Sequence, residues 1–207
     1  MIDMKKIDKK HIEKRNSDLM KAVSYHGHLC LGQILGVHLA EKGMEAIGTT
    51  DPRKMIIYVE NDRCISDAIQ ILTGTRLGRR TMKLVNYGKM AATFINTETL
   101  DAYRVWVSGK INEMIGKVSS YQQEKEKQYK ILLETPSEEV VSIQKVTVNI
   151  AKEDMPGKPL RTVTCARCNE KVMDGKDVLS DDGPLCLACA GKPYYQLIMN
   201  NADETGK

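Results

Sequence analysis

Two Cys-x-x-Cys pairs, Cys165/Cys168 and Cys186/Cys189, stand seventeen residues apart near the end of this 207-residue chain. No other feature limits what the chain can fold into so tightly. A thiolate pair two residues apart grips one side of a tetrahedral cation, and a second pair brought alongside by a hairpin completes the shell. Residues 169–185 are long enough for a short hairpin and carry the turn-prone run Asp181-Asp182-Gly183-Pro184 just before the second pair. The spacing predicts a structural zinc site. Two disulfides or a redox-active Cys-x-x-Cys are the rival readings, and the second lacks the βαβ setting of thioredoxin-type motifs. With a helix opened by the second pair and interrupted near Pro193, the module over 161–207 is expected to be a treble-clef zinc finger.

The rest of the chain suits one ordinary domain. Hydrophobic content of 42% and charged content of 28% are those of a soluble globular protein. No apolar run approaches the ~20 residues that span a bilayer. Residues 1–15 are charged and lack the apolar centre of a signal peptide. Free thiols together with a zinc tetrad suit a reducing cytoplasm.

A formal charge of +4 suggests nucleic acid as a partner, but its distribution argues otherwise. Residues 161–207 carry six Lys/Arg against seven Asp/Glu. Four thiolates around a dication add −2, so the finger stands at about −3. Nucleic-acid modules draw affinity from clustered Lys/Arg facing phosphates. The best remaining basic stretch is Arg76, Arg79, Arg80 and Lys83, which reads more simply as a solvated turn than as an anion site.

Periodicity divides the first 150 residues into an α+β order. Asn16 or Ser17 is expected to cap a short helix over 18–25, and a second helix follows from Leu31 with Leu35 and Leu39 on one face and Gly48 past its end. Residues 54–59 read as a buried strand, and residues 64–72 as a helix stopped by Gly74. Residues 81–87, 90–96 and 103–107 are expected to form an antiparallel meander, with Gly88-Lys89 as a tight connection. A long helix over 110–133 follows, apolar at Ile111, Met114, Ile115, Val118 and Tyr121 and otherwise solvated; Pro136 ends that region and 146–150 is a last strand candidate. The pattern predicts an antiparallel-rich sheet packed with helices over 1–150, a linker over 151–160 and the four-cysteine finger over 161–207.

Two cysteines remain outside the tetrad. Cys30 closes the run His26-Gly27-His28-Leu29-Cys30, and Cys64 opens a helix with Asp67 one turn on. Helix N-termini lower a thiol pKa unless the surroundings are apolar. Thiolate and imidazole together suit Zn, Ni, Cu or Fe. A metal site on His26, His28 and Cys30, or a redox or nucleophilic pair of Cys30 and Cys64 with Asp67 as orienter or proton acceptor, is therefore expected. The plain alternative is that each is a small buried residue or a satisfied core histidine, with a Cys30–Cys64 disulfide disfavoured in a reducing compartment. His38 reads as a core or surface residue, and His11 as solvated.

The stretches HGHLCLGQILG, VENDRCISDAIQILTGTRLG and NYGKMAATF, with CARC and CLAC after them, resemble the family of the formylmethanofuran dehydrogenase E-subunit. The resemblance implies an α+β core, an appended treble-clef finger, a homodimer, and a link to one-carbon metabolism through operon association with molybdenum formylmethanofuran dehydrogenase. It carries no established reaction of the family's own. Its motif falls on His26, His28, Cys30 and Gly32, then on Cys64 and Asp67, and on Gly88 and Lys89. Members often have a small residue before the second cysteine, where this chain has Arg63. The rival functional readings are an accessory or assembly protein that docks through finger and long helix, and a zinc-finger nucleic-acid regulator. No P-loop, GxGxxG, GxSxG or HExxH is present in the sequence.

Overall fold

The computed structural model describes residues 9–198. The chain forms two compact units, Met1–Asn149 and Ile150–Lys207.

The first unit opens with α1 (Lys9–His26) and α2 (Leu31–Ile47). Helix α1 starts well before the expected cap, and Asn16 and Ser17 lie exposed inside it. Arg15, Leu19 and Ala22 form its buried stripe, and Lys14 and Lys21 flank Asp18 at 2.6 and 2.8 Å on the wet side. Helix α2 is central, buried nearly all round with Gln33 and His38 included. It ends as expected at Gly48 (φ +66°), whose N–H meets the Met44 and Glu45 carbonyls. Gly43 lets it lie on the sheet, because an added Cβ would fall 2.3 Å from the Phe94 ring.

The sheet runs β2-β1-β3-β4-β5, with β1 (Met55–Val59), β2 (Met82–Leu84), β3 (Ala91–Asn96), β4 (Ala102–Val107) and β5 (Val141–Val146). Strands β1, β3, β4 and β5 pair antiparallel, with Ile57 opposite Phe94 and Ala92 opposite Val105. Strand β2 departs from the expected meander. It pairs parallel to β1 at the edge, Ile57 opposite Met82, after the chain crosses over through α3 (Cys64–Thr73). Parallel neighbours need such a crossover, so one βαβ unit sits inside the antiparallel sheet. The basic stretch lies in that crossover, where Arg80 takes a left-handed φ of +60° and Ile57 N–H binds the Thr81 carbonyl at 2.8 Å.

Two more expectations shift. The single helix over 110–133 is broken at Gly116 (φ +66°) into α4 (Ile111–Ile115) and α5 (Gln122–Glu134). Ile111 and Ile115 are buried as the stripe implied, but Tyr121 is exposed. Helix α5 is not wholly solvated, since Tyr129 and Leu132 are buried. The last strand begins at Val141, directly after α6 (Ser137–Val140), and residues 147–150 lie outside it.

Arg15 ties these pieces together. Fully buried, it binds Glu41 at 3.0 Å, the Leu133 and Thr135 carbonyls at 2.9 and 2.6 Å, and Ser137 Oγ at 3.2 Å. Glu41 also holds His11, so His11 is partnered rather than free in solvent. Burial alone would raise the Glu41 carboxyl, but Arg15 outweighs it and holds the group below the ordinary carboxylate range.

The second unit holds two hairpins: β6 (Thr162–Thr164) with β7 (Lys171–Met173), and β8 (Asp177–Ser180) with β9 (Gly183–Cys186). Residues 152–154 form a 3-10 turn, and Asp154 lies 3.6 Å from Lys176. The helix expected after the second cysteine pair is not formed among the described residues. Gly191 (φ +86°) and Pro193 turn the chain there instead. Among the described residues no helix is long and apolar enough to cross a membrane.

Candidate metal centres

In the first unit the chain brings two helix starts together. Helix α1 ends at His26, and Gly27 (φ +93°) reverses the chain. Cys30 then takes the extended N-cap position of α2, its carbonyl accepting the Gln33 and Ile34 N–H groups. Cys64 is the first residue of α3. What lets them meet is Gly32, where an added Cβ would lie 2.6 Å from Cys64 Cβ and 3.7 Å from Cys30 Sγ. One turn on, Gly36 allows the same approach, 2.5 Å from Ala68 Cβ. Gln33 closes the contact by donating to the Cys64 carbonyl at 2.7 Å.

The loop before Cys64 is braced from below. Asn61, buried, donates to the Lys89 carbonyl at 2.7 Å and accepts the Arg63 N–H at 3.1 Å. Ser66 Oγ donates to the Asn61 carbonyl at 2.6 Å. Gly88 (φ +67°) and Lys89 thus support this loop, their turn anchored by the Lys89 N–H on the Glu60 carbonyl at 3.2 Å.

The ligand atoms of His26, Cys30 and Cys64 lie within 4.8 Å of one another. Asp67 takes His26 Nδ1 at 2.8 Å. A neutral imidazole donates from Nδ1 to that carboxylate, which leaves the lone pair on Nε2. His26 Nε2 is buried and has no hydrogen-bond partner among the described residues. One nitrogen and two sulfurs therefore face a common point with nothing to satisfy the nitrogen, and a cation would do so. Asp67 orients the imidazole rather than standing free as a proton acceptor.

His28 is not brought into this group. It is exposed, its ring centroid 4.6 Å from that of His26. The expected lowering of the Cys30 thiol by its helix is also overridden. Burial pushes this thiol up; the Gln33 N–H offsets part of that, and Cys64 beside it adds to the rise. A bound cation is what would reverse that balance.

Two contributors were not foreseen in the sequence. Tyr129 of α5 is buried, accepts the Leu31 N–H and faces Cys30, and burial pushes its phenol up. Gln33 is the other. A tyrosine and a glutamine inside helical runs carry no spacing signal.

His38 stands apart, buried on α2 with Ser137 Oγ at 2.7 Å from Nδ1 and the Leu132 carbonyl at 3.1 Å from Nε2. Burial, with Arg15 nearby, pushes it down to about 3, so it is a neutral core histidine.

In the second unit the sulfurs of Cys165, Cys168, Cys186 and Cys189 all lie within 4.8 Å of one another, with Cys168 and Cys186 at 3.9 Å. Each pair sits in a tight turn: Asn169 N–H binds the Cys165 carbonyl at 3.0 Å and Ala190 N–H binds that of Cys186 at 2.9 Å. Backbone N–H groups of Cys168 and Cys186 aim at Cys165 Sγ and hold this thiol down to about 6. Cys186 and the other crowded sulfurs push Cys189 up to about 12. Four thiols this close cannot all ionise unless a cation lies among them, and this cluster can hold one.

A helix-covered, largely antiparallel sheet with one His/Cys/Cys group at paired helix starts, followed by a four-cysteine module, defines a metal-site α+β protein. The chain belongs to the FmdE family, described as "FmdE, Molybdenum formylmethanofuran dehydrogenase operon", which matches residues 25–149. It is similar, at 28% identity over 87% of its length, to a probable S-adenosyl-L-methionine-binding protein of Archaeoglobus fulgidus, and spans 54% of that curated relative. In fold it is similar to the crystal structure of an FmdE-like protein of tungsten formylmethanofuran dehydrogenase type from Syntrophus aciditrophicus. That match has a TM-score of 0.63 and 19% identity, covering 88% of this chain and 95% of the other.

Proposed function

We propose that this chain is a cytoplasmic, homodimeric metalloprotein of one-carbon metabolism, with a reactive transition-metal centre on His26, Cys30 and Cys64 and a structural zinc ion on the four-cysteine module. The observation that carries the reading is the buried, unpartnered His26 Nε2 facing two thiols, with Nδ1 locked by Asp67. Three protein ligands leave one position of a tetrahedral cation open, the hallmark of a reactive site, whereas four thiolates close it. The metal would supply Lewis-acid polarisation of a bound oxygen. Cys30 and Cys64 hold the cation, His26 completes the set, and Asp67 keeps the imidazole turned. For the tetrad, zinc–sulfur bonds of ~2.3 Å imply sulfur–sulfur edges of about 3.8 Å, close to the 3.9 Å between Cys168 and Cys186. The free thiols favour a reducing compartment, and family membership favours the one-carbon setting and the dimer.

The test uses the full chain carrying Cys165→Ser and Cys168→Ser, loaded anaerobically with cobalt(II). A thiolate-to-cobalt absorption that disappears on adding His26→Ala and Cys64→Ser is expected. A chain of this kind that takes up no cobalt ends the reading.

A second reading, an accessory protein that docks through the finger, is favoured by one observation. Leu179, Tyr194 and Ile198 of the second unit are 79%, 99% and 90% exposed. Recovery of a stable partner on the intact chain but not on one with Leu179→Ser and Tyr194→Ser supports it; equal recovery on both removes it.

A further inference from the structure

The core site opens into a cavity of about 390 Å³, lined on one side by His26, Cys64 and Asp67 and on the other by Leu77, Met82 and Leu84. Arg63, immediately before Cys64, lines the same space. The chain habitually spends guanidinium groups on carboxylates. Arg53, Arg104 and Arg161 each grip one through two nitrogens, on Asp51, Glu60 and Asp177. Arg63 does not: only its backbone N–H is engaged, and among the described residues its side chain has no hydrogen bond or ion pair. Arg76 and Arg79 are unpaired in the same sense but do not line this cavity. The two acids there do not claim Arg63 either, since Asp67 is committed to His26 and Asp62 stands exposed at the mouth.

The opposite wall is apolar where solvent reaches it. Leu77 is 62% and Leu84 47% exposed, an arrangement that leaves two leucines wet beside a charged group. Resting on the metal reading above, we propose that the substrate of the core site is a small carboxylate with an apolar tail. Its carboxylate lies between the open metal position and the Arg63 fork, and its tail covers Leu77 and Leu84. A planar guanidinium matches a carboxylate through two parallel hydrogen bonds, which neither a lysine nor the metal alone supplies. Arg63 is then the residue that sets this chain's preference for an anion, at a position where related chains often carry a small side chain.

The experiment titrates the cobalt(II)-loaded full chain with hexanoate, acetate and hexanamide, read as a change in the cobalt d–d bands and by calorimetry. Cobalt among four sulfurs has no open position and gives a constant background. Hexanoate should bind saturably, tighter than acetate by about fourfold for each methylene that reaches the wall, with hexanamide at least ~10-fold weaker. Arg63→Gln should weaken hexanoate by about 10- to 100-fold with cobalt affinity unchanged, and Arg63→Lys should fall between. Hexanoate that leaves the bands unchanged, binds no tighter than hexanamide, or ignores Arg63→Gln overturns the proposal. Absence of any core cobalt spectrum is a different failure, that of the metal reading itself.

Discussion

The two cysteine clusters of this chain do opposite jobs because their surroundings are opposite. Around the core site, α1, α2, α3 and the sheet bury a continuous apolar cluster from Leu19 through Phe94 to Val141. In the second unit only Cys165 and Leu185 are buried among the described residues. A module with so little apolar interior cannot offset its chain entropy, so its fold depends on its metal. The first unit folds on packing and can leave three ligands around an open position. A cation is scaffold in one region and cargo for chemistry in the other.

The largest expected effect breaks that contrast if it is false. Cys165→Ser should unfold the second unit, whose folding free energy is the ~10–16 kcal/mol typical of structural zinc binding. Cys64→Ser should empty the core site yet leave the first unit folded. Limited proteolysis checks both: cleavage should spread through 150–198 in the first variant and remain unchanged in the second. Equal damage in the two would erase the distinction.

Next in size is the acid sensitivity of the packed unit. His38 is neutral in the fold with a pKa of about 3, but titrates near its ordinary 6.5 when unfolded. Between those values the unfolded chain binds the extra proton, so stability falls as pH falls, by about 1.4 kcal/mol per unit. Above 6.5 neither state is protonated and this contribution is level. Glu41, held low by Arg15, adds its own loss only where carboxylates begin to protonate. Urea unfolding followed by Trp106 fluorescence between pH of about 6.5 and 5 should show that slope, and His38→Gln should flatten it. An unchanged slope would remove His38 as its source.

Smaller again is the effect of the group behind the core ligand. Asp67→Asn should weaken core metal binding by about 10- to 100-fold, the usual effect of losing a carboxylate that orients a histidine ligand. His28→Ala should change it less than about twofold, because the structure leaves His28 outside the ligand set. Competition with a chelator ranks the two. The reverse ranking would restore His28 as a ligand and demote Asp67.

Legibility in the sequence followed the physics of each region. The tetrad could be read because its ligands are paired by local spacing, and the hairpins need only a few residues to close. Cys30, Cys64 and Asp67 could be read because helix starts announce themselves through Gly27, Asn61 and the apolar periodicity after them. The pairing of β2 with β1 could not, since a three-residue edge strand carries no sign of parallel or antiparallel partnership. Nor could the break at Gly116, where one glycine interrupts an apolar stripe that otherwise continues. His28 looked equivalent to His26 because spacing does not say which side of a glycine turn faces inward. The helix expected after Cys189 failed for the converse reason, that Gly191 and Pro193 stop a helix before tertiary packing can sustain it.

The most direct measurement of the central claim is the metal content of the anaerobically purified full chain, counted by elemental analysis beside the Cys30→Ser/Cys64→Ser variant. Two ions per parent chain and one in the variant, with the remaining ion in the four-sulfur site, are predicted. One ion in both would contradict the account, leaving the core cysteines as packing and the chain with a single, structural metal.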